Sequence, residues 1–210
     1  MTRTGPTRAG TGYRRRSTVA RMVAPAWPLR TERLLLRPFV PDDLDAFYAI
    51  QSDESVARWL YNEPRTPEET RELLAHKVGG DALRSEGEWL SAAVVLESTE
   101  ELIADVSLYW SSEAHRQGEL GFIVHPSHHG QGYATEASRP LLDFAFGPLG
   151  LHRVIGRLEP RNVGSARVLE KLGMRREAHL VENEWVKGEW QSELVYAILA
   201  REWDDGSANG

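Results

Sequence analysis

A chain of 210 residues can form one domain with a substantial core but is short for two ordinary domains, and 41% hydrophobic with 27% charged residues is typical of a soluble globular protein. The chain has no cysteine and no apolar run of membrane-spanning length, which excludes disulfides, thiolate metal sites, a cysteine nucleophile and a transmembrane helix. We therefore expect a cytoplasmic protein without a membrane partner.

Residues 1–30 are rich in Thr, Gly, Pro and Arg and show no hydrophobic periodicity, which predicts a flexible basic tail. Six arginines and no acid lie within residues 1–22, so the rest of the chain carries 19 basic against 31 acidic residues. Such an acidic body argues against nucleic acid as a partner and mildly favours a cationic one. The arginines at 14–16 are not followed by the apolar segment that a twin-arginine export signal needs.

From residue 31 to residue 203 the pattern predicts one α/β domain, followed by a disordered C-terminus at 204–210. Apolar runs predict seven strands, at 34–36, 89–96, 102–110, 119–124, 153–159, 179–186 and 193–199. About four main helices are predicted, at 41–52, 66–78, 134–146 and 162–172, with a shorter one at 55–60. Thr66 and Glu69 form a capping box at the start of the second of these helices, and Asn162 caps the last one.

The most informative stretch joins the fourth strand to the helix at 134–146. Pro126 ends the strand, and Gly130 and Gly132 lie one residue apart just before the helix. Glycines allow positive φ and the close approach of a ligand, and the first amides of a helix are unpaired at the positive end of its dipole. This arrangement suits a phosphate or pyrophosphate, although a plain tight turn explains the glycines equally well. Neither GxxxxGK[ST] nor GxGxxG is present.

Three fragments, taken together, resemble one family. Residues 129–134, His-Gly-Gln-Gly-Tyr-Ala, resemble the pyrophosphate turn of GNAT N-acetyltransferases, (Gln/Arg)-x-x-Gly-x-(Gly/Ala), with histidine at the first position. Residues 162–174 resemble the second motif of that family. Residues 31–38 and the Gly-Tyr-Ala-Thr-Glu-Ala run at 132–137 resemble the RimJ/RimL branch, which acetylates the N-terminal amines of ribosomal proteins. The resemblance covers about residues 30–203.

The resemblance implies the GNAT fold, a mixed and strongly twisted sheet whose fourth and fifth strands splay apart around the pantetheine arm of acetyl-CoA. Backbone groups of Phe122 and Val124 are then expected to face the pantetheine, and Asn162 to bond it. The pyrophosphate is expected at the turn formed by His129, Gly130, Gln131, Gly132, Tyr133 and Ala134. Tyr133 can pack on the cofactor or cover the helix. Dimers are frequent in the family, so the resemblance also raises a homodimer as an expectation.

Acetyl transfer to an amine needs a base, because a protonated amine, with a pKa of about 10.4 for lysine or roughly 8 for an α-amine, cannot attack. The resemblance to RimL members places this base at Glu184 and a proton donor to the CoA sulfur at Ser165. Glu184 can instead pair with Lys187 or face solvent, Ser165 can act as a local helix cap, and Glu119 is a rival base. A free amide of the splayed strand is expected to stabilise the oxyanion.

The sequence therefore favours an acetyl-CoA-dependent N-acetyltransferase that works by direct attack in a ternary complex, since no cysteine can carry the acetyl group. The acceptor is a primary amine, either a protein N-terminus or a small molecule such as a polyamine, an amino sugar or an antibiotic. The alternative from another class is a non-catalytic acyl-CoA-binding sensor or partner module. The histidines at 125, 128 and 129 lie in a turn without a partner motif, so no metal is expected.

Overall fold

The computed structural model describes residues 22–207 and contains one eight-stranded sheet. Its strands are β1 (Leu29–Arg30), β2 (Leu34–Arg37), β3 (Trp89–Leu96), β4 (Glu101–Ser112), β5 (Gln117–Val124), β6 (Arg153–Leu158), β7 (Arg175–Val186) and β8 (Glu189–Leu199). Their spatial order is β1-β2-β3-β4-β5-β6-β8-β7. All neighbours are antiparallel except β5 and β6, which are parallel. The mixed sheet and the seven strands expected from the sequence are confirmed.

The helices agree with the expected order. They are α1 (Leu44–Gln51), α2 (Glu54–Ala57), α3 (Pro67–Val78), α4 (Tyr133–Phe146), α5 (Val163–Lys171) and α6 (Ala200–Ser207), with 3-10 turns at Pro41–Asp43 and Pro126–His128. The capping box of α3 forms as predicted, because Thr66 Oγ1 accepts from Glu69 N at 3.2 Å and Glu69 Oε2 accepts from Thr66 N at 2.8 Å. Each of the four main helices therefore has its predicted counterpart, and α6 is additional.

Both predicted domain limits need correction. Residues 22–30 are packed onto the domain, since Val23 bridges to Leu83 and Trp27 Nε1 donates to Asp81 O at 2.8 Å. Leu29–Arg30 then adds a short edge strand beside β2. At the other end, residues 204–207 belong to α6 and do not form the start of a disordered segment. The rest of the predicted tail, residues 1–21, lies outside the described part of the chain, and so do residues 208–210.

The two faces of the sheet carry different helices. Paired residues Ala93, Asp105 and Ile123 lie in one row across β3, β4 and β5, and Ala93 and Ile123 pack in the hydrophobic cluster of α1 and α3. The next row, with Ala104 and Val124, packs in the larger cluster that contains α4 and α5. Since side chains alternate along a strand, odd-numbered residues of β5 face α1–α3 and even-numbered ones face α4–α5.

The expected splay between the fourth and fifth predicted strands is present between β5 and β6. These strands pair only from 117 to 119 and from 153 to 155, so the rest of each strand diverges. Gly118 lies at the base of the splay, where a Cβ would be 2.6 Å from Leu151 Cδ1 and 2.9 Å from Tyr109 O. Only glycine fits this close approach, which allows the two strands to meet before they separate.

Among residues 22–207, no helix is both long enough and apolar enough to span a membrane.

Candidate active site

A cavity of about 1080 Å³ opens where β5 and β6 diverge. It is lined from the α4–α5 face by residues such as Tyr133 and Val168, and from the α1–α3 face by residues such as Trp59 and Lys77. The cavity therefore connects the two faces of the sheet. A long ligand can enter from one face while a second ligand reaches its end from the other.

The glycine turn forms one wall of this cavity. Gly130 and Gly132 have φ values of 77° and 85°, which are readily accessible only to glycine. In the described chain, the amides of residues 130–132 donate to no other group, and the first amides of α4 have no partner within the helix. Thr135 in the first turn of α4 also has a buried hydroxyl without a described partner and lines the cavity. These donors converge at the positive end of a helix, as an anion site requires.

A basic side chain that is distant in sequence reaches the same turn. Arg33 Nη2 donates to Gln131 O at 3.1 Å, and its guanidinium lies 4.4 Å from the centre of the Tyr133 ring. Tyr133 is buried and lines the cavity, so its ring covers the start of α4 and also borders the ligand space. The turn thus has a positive charge that its own sequence lacks.

Glu136 fixes this arginine in place. Its Oε1 accepts from the Thr31 hydroxyl at 2.6 Å and from Arg33 N at 2.9 Å, while Oε2 accepts from Arg33 Nε at 2.7 Å. Burial by itself would raise the pKa of the Glu136 carboxyl, but the hydrogen bonds from Thr31 and Arg33 outweigh it and hold the pKa below its usual value. The Glu136–Arg33 ion pair therefore joins β2 to the helix behind the turn.

The free edge of β5 faces the splay. His125 N donates to Ile103 O on β4 at 2.8 Å, so by alternation the backbone groups of Phe122 and Val124 point away from β4 into the cavity. Both residues line it, as the resemblance implies. The Val124 carbonyl is already used, because it accepts from His129 Nε2 at 2.8 Å. His129 lines the cavity too, but this ring nitrogen anchors the turn to β5.

Asn162 and Ser165 lie together at the start of α5. Asn162 Oδ1 accepts from Ser165 N at 3.0 Å and so caps the helix. This bond leaves only the amide nitrogen of Asn162 for a ligand. Both residues line the cavity. Gly156 lets α5 approach β6, since a Cβ there would be 2.8 Å from Leu169 Cδ1.

Glu184 lies on the other face of the sheet. It pairs with Gln191, which is on the same face as Glu193, and its Oε2 accepts from the Tyr61 hydroxyl at 2.6 Å. Tyr61 lines the cavity, whereas Glu184 itself lies behind it. Lys187, which the sequence offered as a partner for Glu184, instead donates to Ala57 O at 2.7 Å.

Glu119, the rival base, is held in an ion pair. Arg157 contacts Glu119 Oε2 at 3.0 Å and Glu193 Oε1 at 3.5 Å, so it links β5, β6 and β8 on the α1–α3 face. Burial raises the pKa of the Glu193 carboxyl, and the charges of Glu184 and Glu119 add to this rise against the opposing charge of Arg157. Three glutamates thus surround one arginine, which leaves an acidic region beside the cavity.

The structure brings the predicted cofactor residues together, with Gln131 as the member of the turn that does not line the cavity. It separates the two predicted catalytic residues, because Ser165 is on α5 and Glu184 is on the opposite face behind Tyr61. Sequence reasoning missed the roles of Arg33 and Arg157, and it did not connect Tyr61 with Glu184. Arg33 lies inside the 31–38 fragment, which offered a signal, whereas Arg157 offered none.

The remaining predictions concern large aromatic residues and a metal site. The sequence predicts that one or two of five aromatic residues line an acceptor groove, namely Trp59, Tyr61, Trp110, Trp185 and Trp190. Trp59 and Tyr61 line the cavity. The rings of Trp185 and Trp190 pack edge to face with their centres 5.4 Å apart and are exposed on the β7–β8 hairpin. In the part of the chain that the structure describes, no three His, Asp or Glu side chains are grouped so as to hold a metal ion.

The Acetyltransferase (GNAT) domain family matches residues 33–175 of this sequence. The chain belongs to this family. A crystal structure of an acetyltransferase of the GNAT family from Bacillus anthracis superposes with a TM-score of 0.74 at 30% identity, and the match covers 83% of this chain and 99% of that one. This GNAT chain is therefore an acyl-CoA-dependent N-acyltransferase.

Two curated relatives match most of this chain. "Uncharacterized N-acetyltransferase YnaD" from Bacillus subtilis (strain 168) is 32% identical over 176 residues, which are 84% of this chain and 99% of the relative. "Spermidine N(1)-acetyltransferase" from Vibrio cholerae is 27% identical over 168 residues, 80% of this chain and 93% of the relative. This GNAT chain is therefore similar over most of its length to enzymes that acetylate amines.

Proposed function

We propose that this protein transfers an acetyl group from acetyl-CoA to a primary amine by direct attack in a ternary complex. The observation that carries the proposal is the cavity at the β5–β6 splay, which borders the cofactor turn on one face and an acidic region on the other. A cofactor bound along the turn and the free edge of β5 brings its thioester to this opening. A cationic amine is attracted to the opposite side.

The cofactor is held mainly by backbone donors. The amides of residues 130–134 and the Thr135 hydroxyl bind the pyrophosphate, with Arg33 adding charge at its side. The Phe122 carbonyl and Val124 N pair with the pantetheine arm, together with the Asn162 amide nitrogen. The amide of Phe122 is the candidate donor to the oxyanion of the tetrahedral intermediate.

Glu184 is the proposed general base, and Tyr61 is its link to the cavity. The amine nitrogen attacks the thioester carbon, a C–N bond forms, and the C–S bond breaks. The amine proton passes to the Tyr61 oxygen while the Tyr61 proton passes along its 2.6 Å hydrogen bond to Glu184 Oε2. Glu119 is the alternative base, but its charge is already paired with Arg157 at 3.0 Å.

Ser165 is the proposed proton donor to the departing sulfur. Its hydroxyl is on the cofactor side of the cavity, whereas its backbone amide is used by Asn162. The thiolate takes the hydroxyl proton, and the serine recovers a proton from water. Base and acid then act from opposite faces of the sheet, so the group that takes the amine proton and the group that protonates the sulfur are separate.

Two observations favour a small acceptor over a protein N-terminus. The Tyr61–Glu184 and Lys187–Ala57 hydrogen bonds close the space between the α2 region and the β7–β8 hairpin. Moreover, one relative over most of the chain is named for spermidine acetylation. The resemblance of residues 31–38 and 132–137 to the RimJ/RimL branch keeps a protein N-terminal amine as the second acceptor class.

The test is calorimetric titration of acetyl-CoA, followed by free-thiol release with N-terminal peptides, polyamines and small amines. We expect tight cofactor binding and thiol release that depends on a small amine. Release only with peptides would move the acceptor to the second class. Binding without release for every amine would overturn the proposed reaction, and no binding would overturn the cofactor site as well.

A further inference from the structure

Two buried nitrogen donors at the α1–α3 end of the cavity have no partner. Gln51, the last residue of α1, is 2% exposed, and its Nε2 donates to no group in the described chain. Arg65 Nε is also shielded from solvent and without a partner among the described residues. Both residues line the cavity. A buried donor left unpaired costs about 1–3 kcal/mol, so two of them in one cavity point to a ligand that accepts hydrogen bonds.

The two residues are joined through their backbones. Arg65 N donates to Gln51 O at 3.0 Å, and Arg65 Nη2 donates to Asn62 Oδ1 at 3.2 Å. Among the described side chains, no carboxylate lies within ion-pair distance of Arg65. Glu69 is close enough to be affected by its charge, but the Glu69 carboxylate is used by the amide of Thr66 at 2.8 Å. The positive charge of Arg65 is therefore available to the cavity.

Lys77 and Asp105, which also line the α1–α3 end of the cavity, neutralise each other's charge. Lys77 Nζ lies 2.7 Å from Asp105 Oδ2 in a largely buried ion pair. The same Nζ lies 6.0 Å from the centre of the Phe47 ring, and Phe47 is one helical turn before Gln51. The Lys77–Asp105 pair therefore adds no net charge at this end of the cavity, where Asp105 Oδ1 is a buried acceptor without a partner among the described residues, and Arg65 leaves this end positive.

The Glu184 carboxylate supplies a negative charge that the cavity reaches through Tyr61. Tyr61, which contacts Glu184, is four residues before Arg65, so their Cα atoms are at most about 14 Å apart. The cavity thus borders the Glu184 carboxylate through Tyr61 and is lined by Arg65, whose Cα atom is within about 14 Å of that of Tyr61. An amine with a carboxylate at its other end matches both.

We propose that Gln51 and Arg65 form a carboxylate subsite, and that the acceptor is a small amino carboxylate whose amine is separated from its carboxylate by a short carbon chain. The proposal rests on the proposed acetyltransferase function. A guanidinium beside an amide donor is well suited to the two oxygens of a carboxylate. A polyamine, in contrast, would place a second ammonium group against Arg65.

The test uses acceptors that differ only in the carboxylate. Thiol release from acetyl-CoA is measured with 5-aminopentanoate, 1-aminopentane and spermidine. We expect kcat/KM for 5-aminopentanoate to exceed that for 1-aminopentane at least about tenfold, which corresponds to about 1.4 kcal/mol. Equal or better turnover of 1-aminopentane or spermidine would overturn the subsite while leaving the acetyltransferase function intact.

Variants of Arg65 and Gln51 test whether these two residues cause the preference for an acceptor with a carboxylate. Arg65→Gln is expected to raise KM for 5-aminopentanoate about tenfold with little change for 1-aminopentane, and Arg65→Lys to restore part of the loss. Gln51→Glu places a carboxylate against the ligand and should reverse the preference. Arg58→Gln is the matched control, because Arg58 lies over Trp59 at 4.6 Å outside this cavity. An unchanged preference in Arg65→Gln would overturn the assignment.

A direct binding measurement separates this proposal from the proposed function. 5-Aminopentanoate is titrated calorimetrically into the protein saturated with CoA, and wild type is compared with Arg65→Gln. Binding that weakens in the variant supports the subsite even if no amine gives thiol release, in which case only the reaction is refuted. Binding that is absent in wild type, or equal in both proteins, refutes the subsite.

Discussion

The Tyr61 hydroxyl donates a 2.6 Å hydrogen bond to Glu184 Oε2 and so joins the α2–α3 loop to β7. Partial burial of the hydroxyl and its bond to Glu184 both raise the pKa of Tyr61 above its ordinary value. The phenol therefore stays protonated through the working pH range and can serve as the donor in this pair. Tyr61 borders the cavity, so any proton that reaches Glu184 from the acceptor has a direct route through it.

Glu184→Gln should lower kcat by about 10²- to 10³-fold with little change in acetyl-CoA affinity, because a positioned general base typically contributes 10²–10⁴-fold. Turnover is measured by thiol release, and affinity by calorimetry. Glu182→Gln is the control, since Glu182 is exposed on the same strand. If Glu119→Gln abolished turnover while Glu184→Gln did not, the base would be Glu119.

Tyr61→Phe should lower kcat about as much as Glu184→Gln, because it removes the group that relays the proton. The effect on stability depends on pH. A raised pKa in the folded state means that the tyrosine contributes fully below the unfolded value of about 10 and loses that contribution as pH rises through the folded pKa. Urea unfolding of wild type and variant should differ near neutral pH and converge in alkali. Full activity of Tyr61→Phe would mean that Glu184 acts without it.

Glu136→Gln should destabilise the protein by about 1 kcal/mol near neutral pH, because it breaks an ion pair in which Glu136 is mostly buried but the Arg33 side chain is 40% exposed to solvent. The lowered pKa of Glu136 means that its contribution is complete above the unfolded value of about 4.3 and is lost as pH falls through the folded pKa. Denaturant unfolding at neutral and acidic pH measures the difference. The exposed Glu32→Gln variant is the control, and a loss that is constant with pH would contradict the assignment.

Arg33→Gln should raise the acetyl-CoA KM roughly fivefold to tenfold and weaken its salt dependence, since the variant removes a charge beside the pyrophosphate turn. Arg33→Lys should recover part of the affinity. Arg30→Gln is the matched control, because Arg30 pairs with Glu97 at the edge of the sheet. An acetyl-CoA KM that changes no more in Arg33→Gln than in Glu136→Gln would show that Arg33 only supports the turn.

Local sequence was enough to predict the glycine turn before α4. Gly130, Gly132 and the start of α4 lie within a few residues of each other, and positive φ at two glycines followed by unpaired helix amides is a property of that short segment alone. The same is true of the Asn162 cap of α5 and the capping box of α3. The long apolar strands could also be predicted from the sequence, because each has enough residues to show the pattern of a strand.

The sequence did not predict the short or polar elements. β1 has only two residues, too few for any alternation, and it forms because β2 offers it an edge. α6 continues into polar residues, yet Leu199 N is held by Glu202 Oε2 at 2.8 Å and Trp203 Nε1 by Asp143 Oδ1 at 2.8 Å. The first contact is local, whereas the second joins residues 60 positions apart in sequence, and together they hold the start of a helix that continues into the segment where composition predicts disorder.

The sequence by itself determined the family, the order of the strands along the chain and the glycine turn before α4, because these depend on motifs of a few residues and on short-range periodicity. The tertiary structure alone decided that Arg33 reaches the turn and that Arg157 lies between Glu119 and Glu193. It also decided that Tyr61 covers Glu184. Each of these pairings depends on strand register, side-chain alternation and loop packing across many residues of sequence, which no local pattern specifies.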